Sequence, residues 1–256
     1  MQLIDTHSHL DTQHFAHDFR NVLIRSRQAG VIAQVLPGVC RAWWANLVNI
    51  CSAEKGLYAA PGLHPLYLAH HSPDDLEELA ALAKSGRIVA IGEIGLDHYH
   101  KGSPHGAQED LVVAQLDIAV EHHLPILLHV RKAHDQVQAI LRRKRFPHGG
   151  IVHAFSGSIQ QAEHYLRLGF KIAFGGTITY DRATRIRAVA QNLPLEAIVL
   201  ETDAPDIPPV QYKGERNSPE YLPLVLESLA ALRSEPKEQL AEITSANASA
   251  LLGLDE

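Results

Sequence analysis

Residues 70–93 read HHSPDDLEELAALAKSGRIVAIGE, and this stretch contains one complete helix-then-strand unit. Ser72 is a good N-cap residue, Pro73 suits the first helical position, and Gly86 is placed to end the helix. The following residues, 87–93, are mostly apolar and finish in a glutamate. A short apolar run without alternation is typical of a parallel strand that is covered on both faces. The stretch therefore predicts a helix that packs beside a buried strand.

Similar apolar runs recur along the chain, with helical patterns between them. They are QLID (2–5), VIAQVLPG (31–38), LYAAPG (57–62), RIVAIGE (87–93), PILLHV (125–130), GIVHAF (150–155), FKIAFGG (170–176) and AIVLETD (197–203). Eight such units in 256 residues are typical of a (β/α)8 TIM barrel of the α/β class. Two helical patterns close the chain, at 219–232 and 236–252, so we expect an additional C-terminal helix. A doubly wound open sheet is the alternative, but it does not readily use eight strands of this regularity.

Composition excludes several classes of protein. The net charge is −6, so the chain has no global basic field for binding nucleic acid, and any contact with a polyanion must be local. No apolar run approaches the length of a membrane span, and the N-terminus lacks a signal-peptide pattern. Cys40 and Cys51 have no ligand-like spacing, which favours reduced thiols in a cytoplasmic protein. We predict a single domain over residues 1–256, with no membrane association and no sign of an obligate protein partner.

The pair His7 and His9 follows the first apolar run, in DTHSH (5–9). The chain has 17 histidines, so one such H-x-H pair is expected by chance. A second pair, His98 and His100, has the same spacing but lies beyond its strand, and we assign it no metal. The significance of His7 and His9 therefore depends on their position in the fold.

Six side chains of metal-ligand type stand at the ends of predicted strands. Parallel barrels place their active sites at the carboxyl ends of the strands, so these residues should converge on one rim. Taken singly, a histidine here could be an interior hydrogen-bonded residue, and Asp203 could be a helix N-cap. Taken together, they would leave several unpaired polar groups in one cavity unless metals bound them. The predicted ligands are His7, His9, Glu93, His129, His153 and Asp203.

Four histidines and two carboxylates suit two divalent ions. Zn²⁺ or Mn²⁺ fits this ligand set, Mg²⁺ stays open, and the absence of cysteine favours a catalytic site. We predict that His7, His9 and Asp203 hold one ion and that His129 and His153 hold the other. Glu93 lies on a strand between them and could bridge the two. Such a site activates a water molecule, and Asp203 could accept its proton.

The chain resembles the TatD family of metal-dependent hydrolases, in the amidohydrolase-like superfamily of metal barrels. The resemblance covers nearly the whole chain and includes motifs in family order. They are DTHSHL (5–10), GLHP (62–65), GEIGLD (92–97), LPILLHVR (124–131), HAFSGS (153–158), ETDAP (201–205) and RNSPEY (216–221). The resemblance implies a barrel that holds divalent metals at the six residues named above and hydrolyses phosphodiester bonds, as a deoxyribonuclease does.

Several nearby residues are candidates for binding substrate. His64, after the third strand, could donate a hydrogen bond to a phosphate or a leaving group. Arg131 could clamp a phosphate through its guanidinium fork. Each candidate also has a structural alternative, such as a turn or a salt bridge at the rim. The remaining candidates are Ser156 with Gly157 after His153, Arg216 and Asn217 after the eighth strand, and Asp5, which could orient a ligand.

Three functions follow from these residues. The leading hypothesis is a two-metal phosphodiesterase or deoxyribonuclease, and the charge favours single-stranded DNA or a short oligonucleotide over long duplex. The second is hydrolysis of a small phosphoester, ester or amide by the same metals. The third is a barrel that binds without catalysis, and six intact ligands argue against it.

Overall fold

The computed structural model describes residues 1–99, 102 and 104–254. Its eight strands over these residues are β1 Leu3–Asp5, β2 Val31–Pro37, β3 Leu57–Ala60, β4 Ile91–Asp97, β5 Ile126–Arg131, β6 Gly150–Val152, β7 Phe170–Phe174 and β8 Ile198–Leu200. The helices are α1 Phe19–Gln28, α2 Arg41–Ala53, α3 Pro73–Lys84, α4 His105–Glu121, α5 His134–Lys144, α6 Ile159–Arg167, α7 Thr184–Asn192, α8 Leu222–Leu232 and α9 Lys237–Leu252. Every predicted apolar run therefore overlaps a strand.

The strands form a closed (β/α)8 barrel. β1 to β3 pair in order, β4 to β8 pair in order, and all the pairs are parallel. Backbone hydrogen bonds join the two sets: Val89 donates to Ala59 on one side, and Thr6 donates to Leu200 on the other. The prediction of a TIM barrel is confirmed.

The barrel interior is apolar at its base and is closed there by α9. Each of the eight strands, or in the case of β4 the residue just before it, contributes a small or branched side chain to this layer. These residues are Ile4, Ala33, Val35, Ala60, Ala90, Leu127, Ile151, Ala173 and Val199. Ala248 and Leu252 of α9 pack against it, together with Leu254. The additional C-terminal helix that the sequence predicts thus covers the amino-terminal end of the barrel, and the opposite end is left open.

The predicted bounds of β4 are wrong in a way that affects the site. The strand begins at Ile91 and runs to Asp97, four residues beyond its predicted end. Glu93 is therefore the third residue of the strand, not its last. β6 and β8 are shorter than predicted because the chain turns after them: Ala154 has φ 41° and Asp203 has φ 60°, in the left-handed region. His153 and Asp203 consequently lie just beyond their strands.

Two further predictions concern features away from the barrel. Among the described residues, no helix combines the length and the apolar character needed to cross a membrane. Cys40 and Cys51 are both free thiols. Of the second histidine pair, His98 lies in the loop after β4, and His100 is outside the described residues.

Candidate metal centre and active site

The predicted ligands meet at the carboxyl end of the barrel. His7 and His9 follow β1, Glu93 lies in β4 and His129 in β5. His153 and Asp203 follow β6 and β8, and the backbone N–H of Asp203 donates to the carbonyl of His7. Residues from both joined sets of strands therefore contribute to one cluster, which depends on closure of the barrel.

Glu93 is the centre of this cluster. Its Oε2 lies 3.3 Å from His7 Nε2 and 3.6 Å from His9 Nε2. Its Oε1 lies 2.7 Å from His129 Nδ1 and 3.9 Å from His153 Nε2. The side chain is buried. The two oxygens of one carboxylate therefore face two different groups of histidines, as a bridging ligand would.

Asp203 lies over the first of these groups. Its Oδ1 is 3.8 Å from Nε2 of both His7 and His9, and 3.7 Å from Nε2 of His153. The His153 ring stacks on the His7 ring with centroids 3.6 Å apart. Among the described residues, three groups place one ligand atom each close enough to hold an ion. They are His7 with His153 and Asp203, His7 with His9 and Glu93, and His64 with Glu93 and His129.

This grouping differs from the sequence-based division in one respect. His153 lies with His7 and Asp203, while the neighbour of His129 is His64, whose ring is 4.4 Å away. However, the backbone N–H of Leu66 donates to Nδ1 of His64 at 3.1 Å. In a neutral imidazole that accepts at Nδ1, the proton resides on Nε2. The Nε2 of His64, 3.3 Å from Glu93 Oε1, is therefore a hydrogen-bond donor in this arrangement.

Two buried carboxylates support the histidines from behind, and the sequence reasoning missed both. Asp97 Oδ2 lies 3.1 Å from His129 Nε2, and Glu201 Oε2 lies 3.0 Å from His153 Nδ1. A carboxylate behind a histidine orients the ring and selects its tautomer. The signal was present, because Asp97 and Glu201 stand inside GEIGLD and ETDAP beside predicted ligands.

Asp5 supports the site in a different way. Its carboxylate accepts from the backbone N–H of His7 and from both the N–H and the hydroxyl of Thr202. It thereby ties the loop after β1 to the loop after β8, which carries Asp203. Burial raises the pKa of Asp5 to about 7, and the hydrogen bonds from Thr202 oppose that rise.

Burial and neighbouring charged groups shift the pKa values of several side chains in the cluster. Burial alone would raise the pKa of Glu93, but His64 and His7 hold that pKa well below its usual range. Burial would lower the pKa of His153, but the carboxylates of Glu201 and Asp203 raise it to about 10. Burial raises the pKa of Asp203 well above its usual value, although His153 opposes this. Such perturbed groups in a cleft are characteristic of functional sites.

The donor set fits divalent metal ions. Both ring nitrogens of His7 are buried, and neither makes a well-formed hydrogen bond among the described residues, although Nε2 lies 3.3 Å from Glu93 Oε2. An unpaired buried polar atom is costly, and a metal ion would satisfy Nε2 here. Imidazole and carboxylate ligands without thiolates are the set expected for catalytic zinc or manganese.

The cluster forms the floor of a cavity of about 550 Å³. This volume is within the range of small-ligand sites. The lining comprises His9, Asp11, Thr12, Gln13, His14, Val39, Trp43, Asn46, His64, Leu66, Tyr67, Glu93, His129, His153, Asp203, Pro205 and Asp206. It thus includes four carboxylates and, among the described residues, neither lysine nor arginine.

Comparison with known proteins identifies the family. The family model described as TatD related DNase matches residues 4–253. The chain belongs to the TatD family. It is 42% identical over 243 residues to the uncharacterized metal-dependent hydrolase YjjV of Escherichia coli (strain K12), covering 94% of each chain. It is 34% identical over 260 residues to the 3'-5' ssDNA/RNA exonuclease TatD of Klebsiella pneumoniae (strain 342), covering 99% of this chain and 98% of the relative.

A solved structure of a TatD homologue agrees with this assignment. The crystal structure of YjjV from Escherichia coli K12 matches the fold with a TM-score of 0.96 at 40% identity. The match covers 99% of this chain and 98% of that chain. The resemblance to the TatD family inferred from the motifs is confirmed.

The predicted ligands of this TatD-family chain meet in one cluster, but most of the predicted substrate-binding residues do not line the cavity. Arg131 stacks its guanidinium on the Tyr99 ring, 3.6 Å from the ring centroid, and does not line the cavity. Arg216 makes a two-point ion pair with Asp18 at 2.7 and 2.9 Å, and it packs over Phe15. Both cations are already engaged, so their proposed contacts with phosphate stay predictions that the geometry does not favour.

Of the other candidates in this TatD-family chain, Asn217 has a structural role, Ser156 is engaged through its backbone, and His64 lines the cavity. The Asn217 side-chain amide donates to the carbonyls of Thr202 and Asp206, and its oxygen accepts from the N–H of Ser218. It therefore fastens the loop that carries Asp203. Ser156 is exposed, and its carbonyl accepts from Arg185. His64 is the candidate that lies in the cavity beside the ligands.

Proposed function

We propose that this protein is a metal-dependent hydrolase that cleaves phosphodiester bonds at the ends of single-stranded nucleic acid. The observation that carries the proposal is the position of Glu93, whose two oxygens face separate groups of histidines in a buried cluster. When bound, two divalent ions would activate water and stabilise the charge that develops on the phosphate.

The side chains have distinct roles in this proposal. His7, His9, Asp203 and Glu93 would hold one ion. Glu93 and His129 would hold the other together with His153, which packs beside His7 but also has its Nε2 3.9 Å from Glu93 Oε1, the oxygen that faces His129. Asp203 would accept the proton of the attacking water, since its carboxylate lies over the cluster at the cavity floor. His64 presents an N–H at Nε2 and would donate to the oxygen of the leaving group.

The family supports a nucleic-acid substrate. A relative that the chain matches over nearly its full length is named a 3'-5' ssDNA/RNA exonuclease. The cavity volume, about 550 Å³, suits one end of a flexible strand better than a continuous duplex. The free thiols of Cys40 and Cys51 are compatible with the cytoplasmic location that we include in the proposal.

The composition of the cavity lining favours a small molecule as an alternative substrate. Its described lining has no lysine or arginine, so a chain of several phosphates gains little there apart from the metals. A small phosphoester, ester or amide needs no such cations. Hydrolysis of a small molecule is therefore the second candidate function.

A substrate screen tests both functions. We expect the metal-loaded protein to hydrolyse a single-stranded oligonucleotide and bis-p-nitrophenyl phosphate, and not lactones or amides. Activity on carbonyl substrates alone would contradict the phosphodiesterase proposal. Chelation should abolish hydrolysis, and Mn²⁺, Zn²⁺ or Mg²⁺ should restore it.

Metal content tests the assignment of the ligands. The double variant His7→Ala, His9→Ala should bind less metal and lose hydrolysis, measured by elemental analysis and by initial rates. The exposed Glu163→Gln on α6 serves as the control that keeps both. Unchanged metal content in the double variant would show that these residues are not ligands.

A further inference from the structure

The wall of the cavity beside the metal cluster is aromatic and open to solvent. Trp43 is 46% exposed and Leu66 is 50% exposed, although both line the same cavity as Glu93. Tyr67 joins them, with its ring 5.6 Å from the Trp43 ring at 84°. We call these three residues the aromatic wall. Single exposed apolar residues are ordinary, but a contiguous group inside an active-site cavity indicates a binding surface.

The aromatic wall is directly connected to the metal cluster. The Tyr67 ring contacts the His64 ring edge-on, with centroids 5.9 Å apart. His64 in turn lies against His129 and Glu93. A substrate whose phosphate is at the cluster would therefore place its next group against Tyr67 and Trp43.

Trp43 is held in position by its own helix. The adjacent Trp44 is fully buried and donates from its indole to the carbonyl of Gly62. Arg41, at the start of the same helix, forms ion pairs with Asp75 and Glu78 of α3. Because α2 is anchored on both sides of Trp43, the backbone that carries the exposed indole is already ordered before binding, and the ring itself packs on Tyr67.

The charge of the cavity indicates what the wall binds. A nucleic-acid strand usually gains affinity from lysine and arginine side chains along its backbone, and the described lining contains neither. Aromatic rings can supply affinity instead, since each base has a face that stacks on them. The indole and phenol faces are tolerant of base identity because stacking needs no particular hydrogen-bond pattern.

We propose that the aromatic wall formed by Trp43, Leu66 and Tyr67 is a subsite that binds one nucleobase of the substrate by stacking. The subsite rests on the proposed function, and it adds the group that the protein recognises next to the scissile phosphate. It requires that the base, and not the backbone charge, supplies most of the affinity for a short strand.

Ligand binding to the metal-loaded protein tests the subsite without turnover. By calorimetry, deoxyadenosine monophosphate should bind on the order of 5- to 100-fold more tightly than 2-deoxyribose 5-phosphate, which lacks the base. Deoxycytidine monophosphate should bind nearly as well as the adenine compound. Deoxyadenosine monophosphate should also quench tryptophan fluorescence, because Trp43 is exposed and Trp44 is buried.

Variants locate the effect at Trp43. Trp43→Ala should reduce the ratio of the two dissociation constants to near one, while Trp43→Phe should keep the ratio and lose most of the quenching. Tyr99→Ala is the matched control, since Tyr99 is an aromatic side chain with 47% exposure that does not line the cavity. It should keep both the ratio and the quenching. Circular dichroism confirms that each variant is folded.

The outcomes separate this subsite from the function on which it rests. A ratio near one in the unaltered protein, or a ratio that Trp43→Ala leaves unchanged, would overturn the subsite even if phosphodiesters were hydrolysed. Preference for the base without hydrolysis of any phosphodiester would support the subsite and contradict the proposed function.

Discussion

At the scale of single residues, the site depends on carboxylates that do not all face the cavity. Glu93 lies among the histidines, whereas Asp97 and Glu201 stand behind them. His129 and His153 thus each have one ring nitrogen toward the cluster and the other beside a rear carboxylate. Removing a rear carboxylate should weaken metal binding without removing any ligand.

Glu201→Gln tests this arrangement. The carboxylate accepts from both His153 Nδ1 and the N–H of Ala154, and an amide cannot accept equally well at both positions. We expect metal affinity to fall about 10- to 100-fold, with activity partly restored by excess metal. A metal titration of hydrolysis measures this, with Glu163→Gln as the control. Loss of activity that no metal concentration restores would argue for a direct catalytic role instead.

His134 should make stability depend on pH. It is buried at the start of α5, and burial lowers its pKa from 6.5 to about 4. Above pH 6.5 the residue is neutral in both states and has no effect. Between pH 6.5 and 4 the unfolded chain binds a proton that the folded protein does not, so stability falls as the pH falls.

The size of this effect follows from the pKa difference. Linkage gives a loss of up to roughly 3 kcal/mol at the acid end of the window. The variant His134→Gln should lack this component, so the difference in unfolding free energy between the variant and the unaltered protein should change across pH 4–6.5 and be flat above it. Urea unfolding at several pH values measures the difference. A constant difference across that range would show that His134 does not titrate as described.

At the scale of elements, β4 positions Glu93 and supports His129 of β5. Gly95 has φ 147°, and a Cβ there would lie 1.9 Å from the carbonyl oxygen of His129. Only glycine permits the two strands to approach this closely, two residues from the central carboxylate.

Gly95→Ala should therefore destabilise the protein severely. We expect a loss of about 3 kcal/mol or more, from the overlap with the backbone of β5 and from the unfavourable φ. Gly106→Ala, in the first turn of α4 where nothing lies within 4 Å, should be neutral or stabilise by up to about 1 kcal/mol. Thermal or urea unfolding of the pair measures this. Equal stabilities would mean that β4 and β5 separate readily.

At the scale of the whole molecule, the net charge of −6 and the lack of lysine and arginine in the described lining predict weak salt dependence. For each phosphate of a single strand that a protein neutralises, affinity falls about threefold between roughly 50 and 200 mM salt. We expect kcat/KM for a single-stranded oligonucleotide to fall only about threefold over this salt range, which is the change for one neutralised phosphate. Neutralisation of six phosphates would instead give a fall of roughly several hundred-fold.

Measurement of kcat/KM at several salt concentrations also tests the sequence-based role of Arg131. If Arg131 bound phosphate, Arg131→Ala would make the salt dependence shallower than in the unaltered protein. We expect no change, because Arg131 is stacked on Tyr99. A steep dependence that requires Arg131 would support the phosphate-binding role predicted from the sequence.

The amino-acid sequence alone was sufficient to predict the eight strands, the barrel and the positions of six ligand-type residues at one rim. Buried parallel strands must be apolar runs, and their carboxyl ends must meet, so this much follows from order along the chain. The family motifs carried the same information. The extent of the domain and the number and identity of the metal ions stay predictions.

The grouping of the side chains at that rim depends on packing in three dimensions. Packing turns the two oxygens of Glu93 toward different histidines and engages Arg131 and Arg216 elsewhere. It also places Trp43 beside Tyr67 over the cavity. These contacts join residues from separate elements, and their directions depend on how the strands and helices pack, which no local pattern in the sequence specifies.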